Sequence, residues 1–166
     1  MRLNGSRSIK KFVYISVLTA LAAGLTIYPQ IPTGTGGFVH FGDSIIYITS
    51  IFFGGVAGML VGGIGHSIAD ILSGHAEFAL PTLIIKSIMG IAVGFISNGN
   101  HRGIRLYTAF LSGGLIITFG YFFAEIPMFG LEPAKIVFIS SPVQWVMSIA
   151  ATFLMLPIIK KIINYT

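Results

Sequence analysis

Apolar segments, separated by glycine and proline, follow one another through almost the whole chain, and this succession decides what it can fold into. A helix crossing a bilayer needs about 20 mostly apolar residues. Six such helices would use most of the 166 residues and leave only short ends and loops. Only 9% of the residues are charged while 54% are hydrophobic, against roughly 25% charged in soluble domains. An ordinary soluble domain is therefore excluded. The 21 glycines and 7 prolines are tolerated in lipid where neighbouring helices satisfy the interrupted backbone. The expectation is one all-α integral membrane domain over residues 1–166, a six-transmembrane-helix bundle in the cell membrane.

Breakers set the segments at Phe12 to Tyr28, Ser44 to Phe53, Val56 to Leu72, Pro81 to Ser97 and Leu106 to Phe123. The second is too short to cross alone and must extend into its flanks, tilt or stop partway. Ser141-Pro142 has the form of a helix start, with serine as N-cap and proline as first helical residue. This predicts a sixth helix over Pro142 to Ile163 and leaves Glu125 to Ser140 as a long loop. Six spans gather Arg2, Arg7, Lys10, Lys11, Arg102, Arg105, Lys160 and Lys161 at one end, eight of the ten cations. The positive-inside rule makes that end, with both termini, cytoplasmic. The first 27 residues imitate a signal peptide but are expected to stay as the first span. Ten scattered cations form no stripe that could track nucleic-acid phosphates. The absence of cysteine excludes disulfides, thiolate zinc sites and thiol catalysis.

The opposite end holds all five acids, Asp43, Asp70, Glu77, Glu125 and Glu132, against Lys86 and Lys135. Ionisable groups at membrane depth are expensive and generally face a cavity, so this end is expected to hold a solvated ligand site. His66 and Asp70 are four apart and share a helical face. Asp70 and Lys86, at matched depth on adjacent helices, are expected to pair, because either alone is costly to bury. Such a pair either locks two helices together or lines a pocket and offers a ligand both an acceptor and a donor. Trp145 has two readings, an interfacial belt residue or a wall for a flat heterocycle with Gln144 at the ring edge and Tyr121 and Phe122 adding to it. Phe38, His40 and Asp43 stand on the first outer loop, placed to close over the site, with Asp43 alternatively the N-cap of the second helix. Glu125, at the start of the loop after the fifth helix, joins the candidate site.

His66 and Asp70 would bind a transition metal only with His40 or His75 recruited from loops, since such sites need three or four ligands, so no metal or cofactor is expected. No HExxH, GxSxG or GxxxxGK[ST] motif occurs, which leaves the zincin, hydrolase and nucleotide-hydrolysing readings without their parts. Small residues recur every four positions as Ser16, Ala20 and Gly24, as Gly54, Gly58 and Gly62, and as Gly90 and Gly94. Such stripes let helices approach closely in lipid. The latter two suit packing inside the bundle; the first, on a terminal helix, suits a separate subunit.

The order of GGFVHFGDSIIYITSIFFGGVAGMLVGGIGHSIADILSG and PTLIIKSIMG, after a basic start and a small-residue first helix, resembles the substrate-binding S components of energy-coupling factor (ECF) vitamin transporters. The G-D, F-G-G, A-D-x-x-S-G and I-I-K pieces look like the hydroxymethylpyrimidine branch. The resemblance implies a six-helix protein that captures a vitamin or precursor from outside, such as hydroxymethylpyrimidine or pyridoxine. It would work with a transmembrane T component, docked through the Ser16, Ala20 and Gly24 stripe, and two cytoplasmic ATPases. An acidic mouth favours a neutral or cationic ligand over a phosphate ester. Two other classes remain open: an intramembrane enzyme using His66 and Asp70, and a small solute channel.

Overall fold

The computed structural model describes residues 4–32 and 38–164, with side chains for 9–31 and 39–161. Arg2, the Arg7 side chain and the Phe38 side chain, all used above, lie outside that range. Six α-helices are joined by short connections: α1 (Asn4–Ile27), α2 (Gly42–Phe53), α3 (Gly55–Leu72), α4 (Ala79–Ser97), α5 (Ile104–Phe129) and α6 (Leu131–Asn164). Between α1 and α2, strands β1 (Ile31–Pro32) and β2 (Phe38–Val39) pair antiparallel, with Ile31 opposite Val39. A 3-10 turn, Ala76–Phe78, links α3 to α4. Five of the helices are long and apolar enough to cross a membrane; α2, at 12 residues, is not.

The short α2 is the centre of the molecule. Every residue from Gly42 to Ile51 is buried, and α2 packs against α1, α3, α4 and α6. Ile46, Tyr47 and Ile51 join a cluster with Met89, Val93, Phe110 and Ile117, while Ile45 and Ile48 join Ala22 and Val61 on the other side. A helix apolar on all faces is one enclosed by protein. The Tyr47 hydroxyl donates to the Phe110 carbonyl at 3.2 Å, so its polar end is also satisfied.

The start of α2 lies deep among the other helices. A Cβ on Gly42 would lie 2.8 Å from His66 Nε2 and 3.0 Å from the Ala22 carbonyl. His66 is six residues, about 9 Å, short of the C-terminal end of α3 at Leu72. The chain therefore reaches that depth in non-helical form before α2 begins, which lipid permits only where such backbone is enclosed by protein or faces a cavity.

Helices α3 and α4 cross at glycines. A Cβ on Gly90 would lie 2.5 Å from both the Gly58 carbonyl oxygen and the Met59 nitrogen, and one on Gly94 would meet the Gly55 backbone. The internal packing expected for Gly58, Gly62, Gly90 and Gly94 is thus found. Gly54 instead forms the one-residue turn between α2 and α3 at φ 89°, with open space beside it. Ser16, Ala20 and Gly24 are exposed along α1.

Three boundaries correct the sequence reading, the first being the start of α1 at Asn4 and not at Phe12. Glu125 to Ser140 is not a loop: α5 runs to Phe129, Gly130 turns at φ 93°, and α6 starts at Leu131. Pro142 lies inside α6, on an exposed position, where it removes one backbone donor. The Ser141 hydroxyl donates to the Val137 carbonyl at 2.7 Å in the same turn. The true start signal is Gly130 followed by Leu131, Glu132 and Pro133, with a turn glycine, then an acid and a proline in the first turn.

Candidate functional site

A cavity of about 430 Å³ opens where the C-terminal ends of α3 and α5 meet the N-terminal ends of α4 and α6. His40 lines it from the segment before α2, Asp70 from α3, Thr82 and Lys86 from α4, Tyr121 and Glu125 from α5, and Gln144 from α6. Phe78, Phe129 and Val137 complete an apolar wall, with the Phe78 and Phe129 rings 5.4 Å apart. The residues that the sequence groups at one end do meet around one space.

Behind that space lies a buried polar cluster. Lys86 Nζ donates to Asp43 Oδ1 at 2.6 Å, and Gln144 Nε2 donates to Asp43 Oδ2 at 3.0 Å. The expected pairing of Lys86 with Asp70 is corrected: the partner is Asp43, fully buried, because the descent before α2 brings Asp43 to the depth of Lys86. Asp43 is not an N-cap either. Phe41 holds that position without a side-chain bond, and Asp43 lies in the first turn of α2.

Gln144 works as a backbone mimic. Its Oε1 accepts from the His40 N–H at 2.9 Å, and its Nε2 donates to the His40 carbonyl at 3.0 Å. Both amide ends therefore satisfy a non-helical residue at depth, where an unpaired peptide group would cost about 1–3 kcal/mol. The amide orientation is dictated, because Asp43 needs a donor and the His40 N–H an acceptor.

His66 contacts the Gly62 carbonyl through Nδ1 at 3.0 Å, which requires the proton on Nδ1. Its Nε2 stands 3.1 Å from Asp43 Oδ1 but off the line of a hydrogen bond. The possible ligand atoms of His40, Asp43 and His66 all lie within 4.8 Å of one another, the compactness of a metal site. A metal there would have to displace the Lys86 ammonium. His66 belongs to this cluster and not to the cavity lining.

The two imidazoles carry opposite tautomers. The Gly42 N–H donates to His40 Nδ1 at 3.2 Å, so that nitrogen is an acceptor and the ring proton of His40 sits on Nε2. His66, bonded to a carbonyl through Nδ1, has its proton on the other nitrogen. Nitrogen spectra of histidine-labelled protein are expected to show one buried Nε2–H ring and one buried Nδ1–H ring, assigned by His40→Gln and His66→Gln. Two rings of the same tautomer would refute the arrangement.

On the α4–α5 wall, the Thr82 and Tyr121 hydroxyls bond at 2.9 Å. Lys86 Nζ lies 5.5 Å from the centre of the Tyr121 ring, within cation–π range. One oxygen of Asp70, Oδ2, is buried without a partner among the described residues. Trp145 is not part of the cavity wall: it packs on α5 at Gly114, where an added Cβ would lie 2.6 Å from its Cδ2. Phe78, Phe129 and Tyr121 supply the aromatic surface instead. Phe78, Thr82, Phe129 and Val137 are lining residues that the sequence reading does not single out, and Ser141, read there as a helix N-cap, lines the cavity as well. Thr82 stands four residues before Lys86 and so on its face, a signal that the spacing does carry. Phe129 and Val137 fall in the stretch that reads as a loop, where no helical face can be drawn.

The model of the family described as "ECF-type riboflavin transporter, S component" matches residues 6–164. The chain belongs to this family. Family and apolar helices together make it a multi-pass membrane protein of a transporter S-component family. A Pyrococcus woesei protein described as "Uncharacterized protein in gap 3'region" is 32% identical over 125 residues, covering 75% of this chain and 84% of its own length. The S-component resemblance is thus shown. The matching family carries the name of riboflavin, and nothing in the match singles out the hydroxymethylpyrimidine branch.

Proposed function

We propose that this protein is the substrate-capture subunit of an ECF-type transporter, taking a small water-soluble vitamin, riboflavin foremost, from the outer side of the membrane. The observation that carries this reading is the cavity of about 430 Å³ with Phe78, Tyr121 and Phe129 on its walls and Asp70, Lys86 and Glu125 among them. That volume lies in the roughly 300–1,000 Å³ range of small-molecule pockets and exceeds what a single pyrimidine or pyridine ring needs. The family name supports a flavin. Hydroxymethylpyrimidine and pyridoxine are the competing, smaller ligands.

Six crossings in alternation, with α2 completing its passage as non-helical chain, put the cavity opposite the end that carries eight of the ten cations. The positive-inside rule makes the cavity end external and both termini cytoplasmic. The chain has no nucleotide-hydrolysis motif, so import relies on a T component and two ATPases. The exposed Ser16, Ala20 and Gly24 stripe, with nothing within 4 Å of a Cβ at Gly24, gives a T component a surface for close approach.

The test is a titration of detergent-purified protein with riboflavin, followed by quenching of flavin fluorescence, beside the two smaller vitamins. Riboflavin is expected to bind tightly and the others weakly; the reverse order would reassign the ligand. Ala20→Leu is expected to leave that binding intact and to abolish uptake when the partner subunits are present. Loss of binding in this variant would make the stripe an internal packing feature.

A further inference from the structure

Asp43 lies behind the cavity wall, yet its Oδ1 holds the ammonium of Lys86, which is in that wall. We propose that Asp43 is a charge mask: it positions Lys86 and cancels its charge, so that the cavity takes an uncharged ligand and rejects phosphorylated or carboxylated relatives. The inference rests on the flavin reading above and assigns a specificity role to a residue that need not touch the ligand.

A lone ammonium in a water-poor wall is an anion trap, since charge interactions there are several times stronger than in water. Lys86 is the sole lysine or arginine among the described lining residues, whereas Asp70, Glu77 and Glu125 share the same cavity. With Asp43 in place, an incoming anion finds no uncompensated cation and meets three acids. The mask is held firmly. Asp43 is 0% exposed, its second oxygen is fixed by Gln144, and Gln144 is locked on both sides to the His40 backbone. Lys86 keeps the N–H donors not given to Asp43, and a neutral acceptor such as a ring carbonyl can use one without bringing a charge.

Three probes test this on the purified full chain: riboflavin, riboflavin 5′-phosphate with its charge at the chain end, and 8-carboxy-8-demethylriboflavin with its charge at the ring end. In the native protein both anions are expected to bind more weakly than riboflavin, and the gap to widen as salt is lowered. Asp43→Asn keeps the shape and removes the mask. The affinity of the anion whose charge reaches Lys86, relative to riboflavin, is expected to rise at least about 10-fold, and the Asp43→Asn/Lys86→Met pair to return it. If Asp43 serves only packing, all three probes weaken together and the ratio stays put, which overturns the inference.

Should Asp43→Asn fail to fold, the native salt series decides. Anionic probes that gain on riboflavin at low salt reveal an unmasked ammonium and overturn it as well. Absence of riboflavin binding to the native protein removes the flavin reading and this inference together; normal binding with an unchanged ratio removes this inference alone.

Discussion

Gly90→Ala is expected to destabilise the protein by about 3 kcal/mol or more, and Gly90→Leu to leave no folded material. The added Cβ of alanine would sit 2.5 Å from the Gly58 carbonyl oxygen and the Met59 nitrogen. Both are backbone atoms of α3, which cannot turn aside as the end of a side chain can. Relief requires α3 and α4 to separate, and neighbouring contacts separate with them: Gly94 against Gly55, and Gly62 against the Lys86 carbonyl. The last of these sets the depth of Lys86 relative to His66, so the cavity wall is expected to fail with the crossing. Thermal unfolding in detergent and elution as a single species are the measurements. Gly24→Ala is the control, because nothing lies within 4 Å of its added Cβ, and it should melt with the native protein. Equal melting of the two variants would place the close approach of α3 and α4 in doubt.

Lys86→Met comes second, with an expected loss of about 3–5 kcal/mol, the range for removing one partner of a buried ion pair. Asp43 is 0% exposed and Lys86 2% exposed, so water does not replace the ammonium. Gln144 still donates to Oδ2, but one neutral donor does not compensate a carboxylate. The double variant Lys86→Met/Asp43→Asn should recover most of the loss, since the orphaned charge is then gone and the new amide oxygen can still accept from Gln144. Denaturant unfolding of the native, single and double variants forms a double-mutant cycle. Additive losses would mean that Lys86 and Asp43 do not form the pair. Lys86→Met paired with Asp70→Asn should show much weaker coupling, which separates the observed partner from the one expected from depth alone.

Asp43 displaces Asp70 as the partner of Lys86 because of where α2 begins. Matching Asp70 with Lys86 assumes that each helix begins at the membrane surface. That suits α3 and α4, whose cavity-side ends at Leu72 and Ala79 fall within about two residues of where the breakers put them. It fails for α2, because β2 and His40 bring the chain inward before the helix starts and so deliver Asp43 to the side of Lys86. The depth at which α2 starts depends on Gly42 fitting against Ala22 and His66, residues 20 and 24 positions away in the chain. No local pattern carries that information. Pro142 misleads for a related reason: in water a proline marks a helix start, while inside a bundle a neighbouring serine and a single exposed position let α6 continue through it.

Sequence by itself determined the solvent this chain lives in, both ends of α2, α3 and α4 to within about two residues and the polar end of the bundle, since hydropathy, glycine turns and charge placement are properties of short stretches. It also marked Gly58, Gly62, Gly90 and Gly94 as packing positions inside the bundle, because a four-residue spacing fixes a helical face before any partner is known; that these faces meet each other is visible only in the fold. Tertiary structure alone decided that the segment too short to cross is the core, that Asp43 and not Asp70 holds Lys86, and that Gln144 serves the backbone of His40. Each of these depends on which groups from distant segments arrive at the same depth, and a buried charge or peptide group takes the partner that packing brings within about 3 Å.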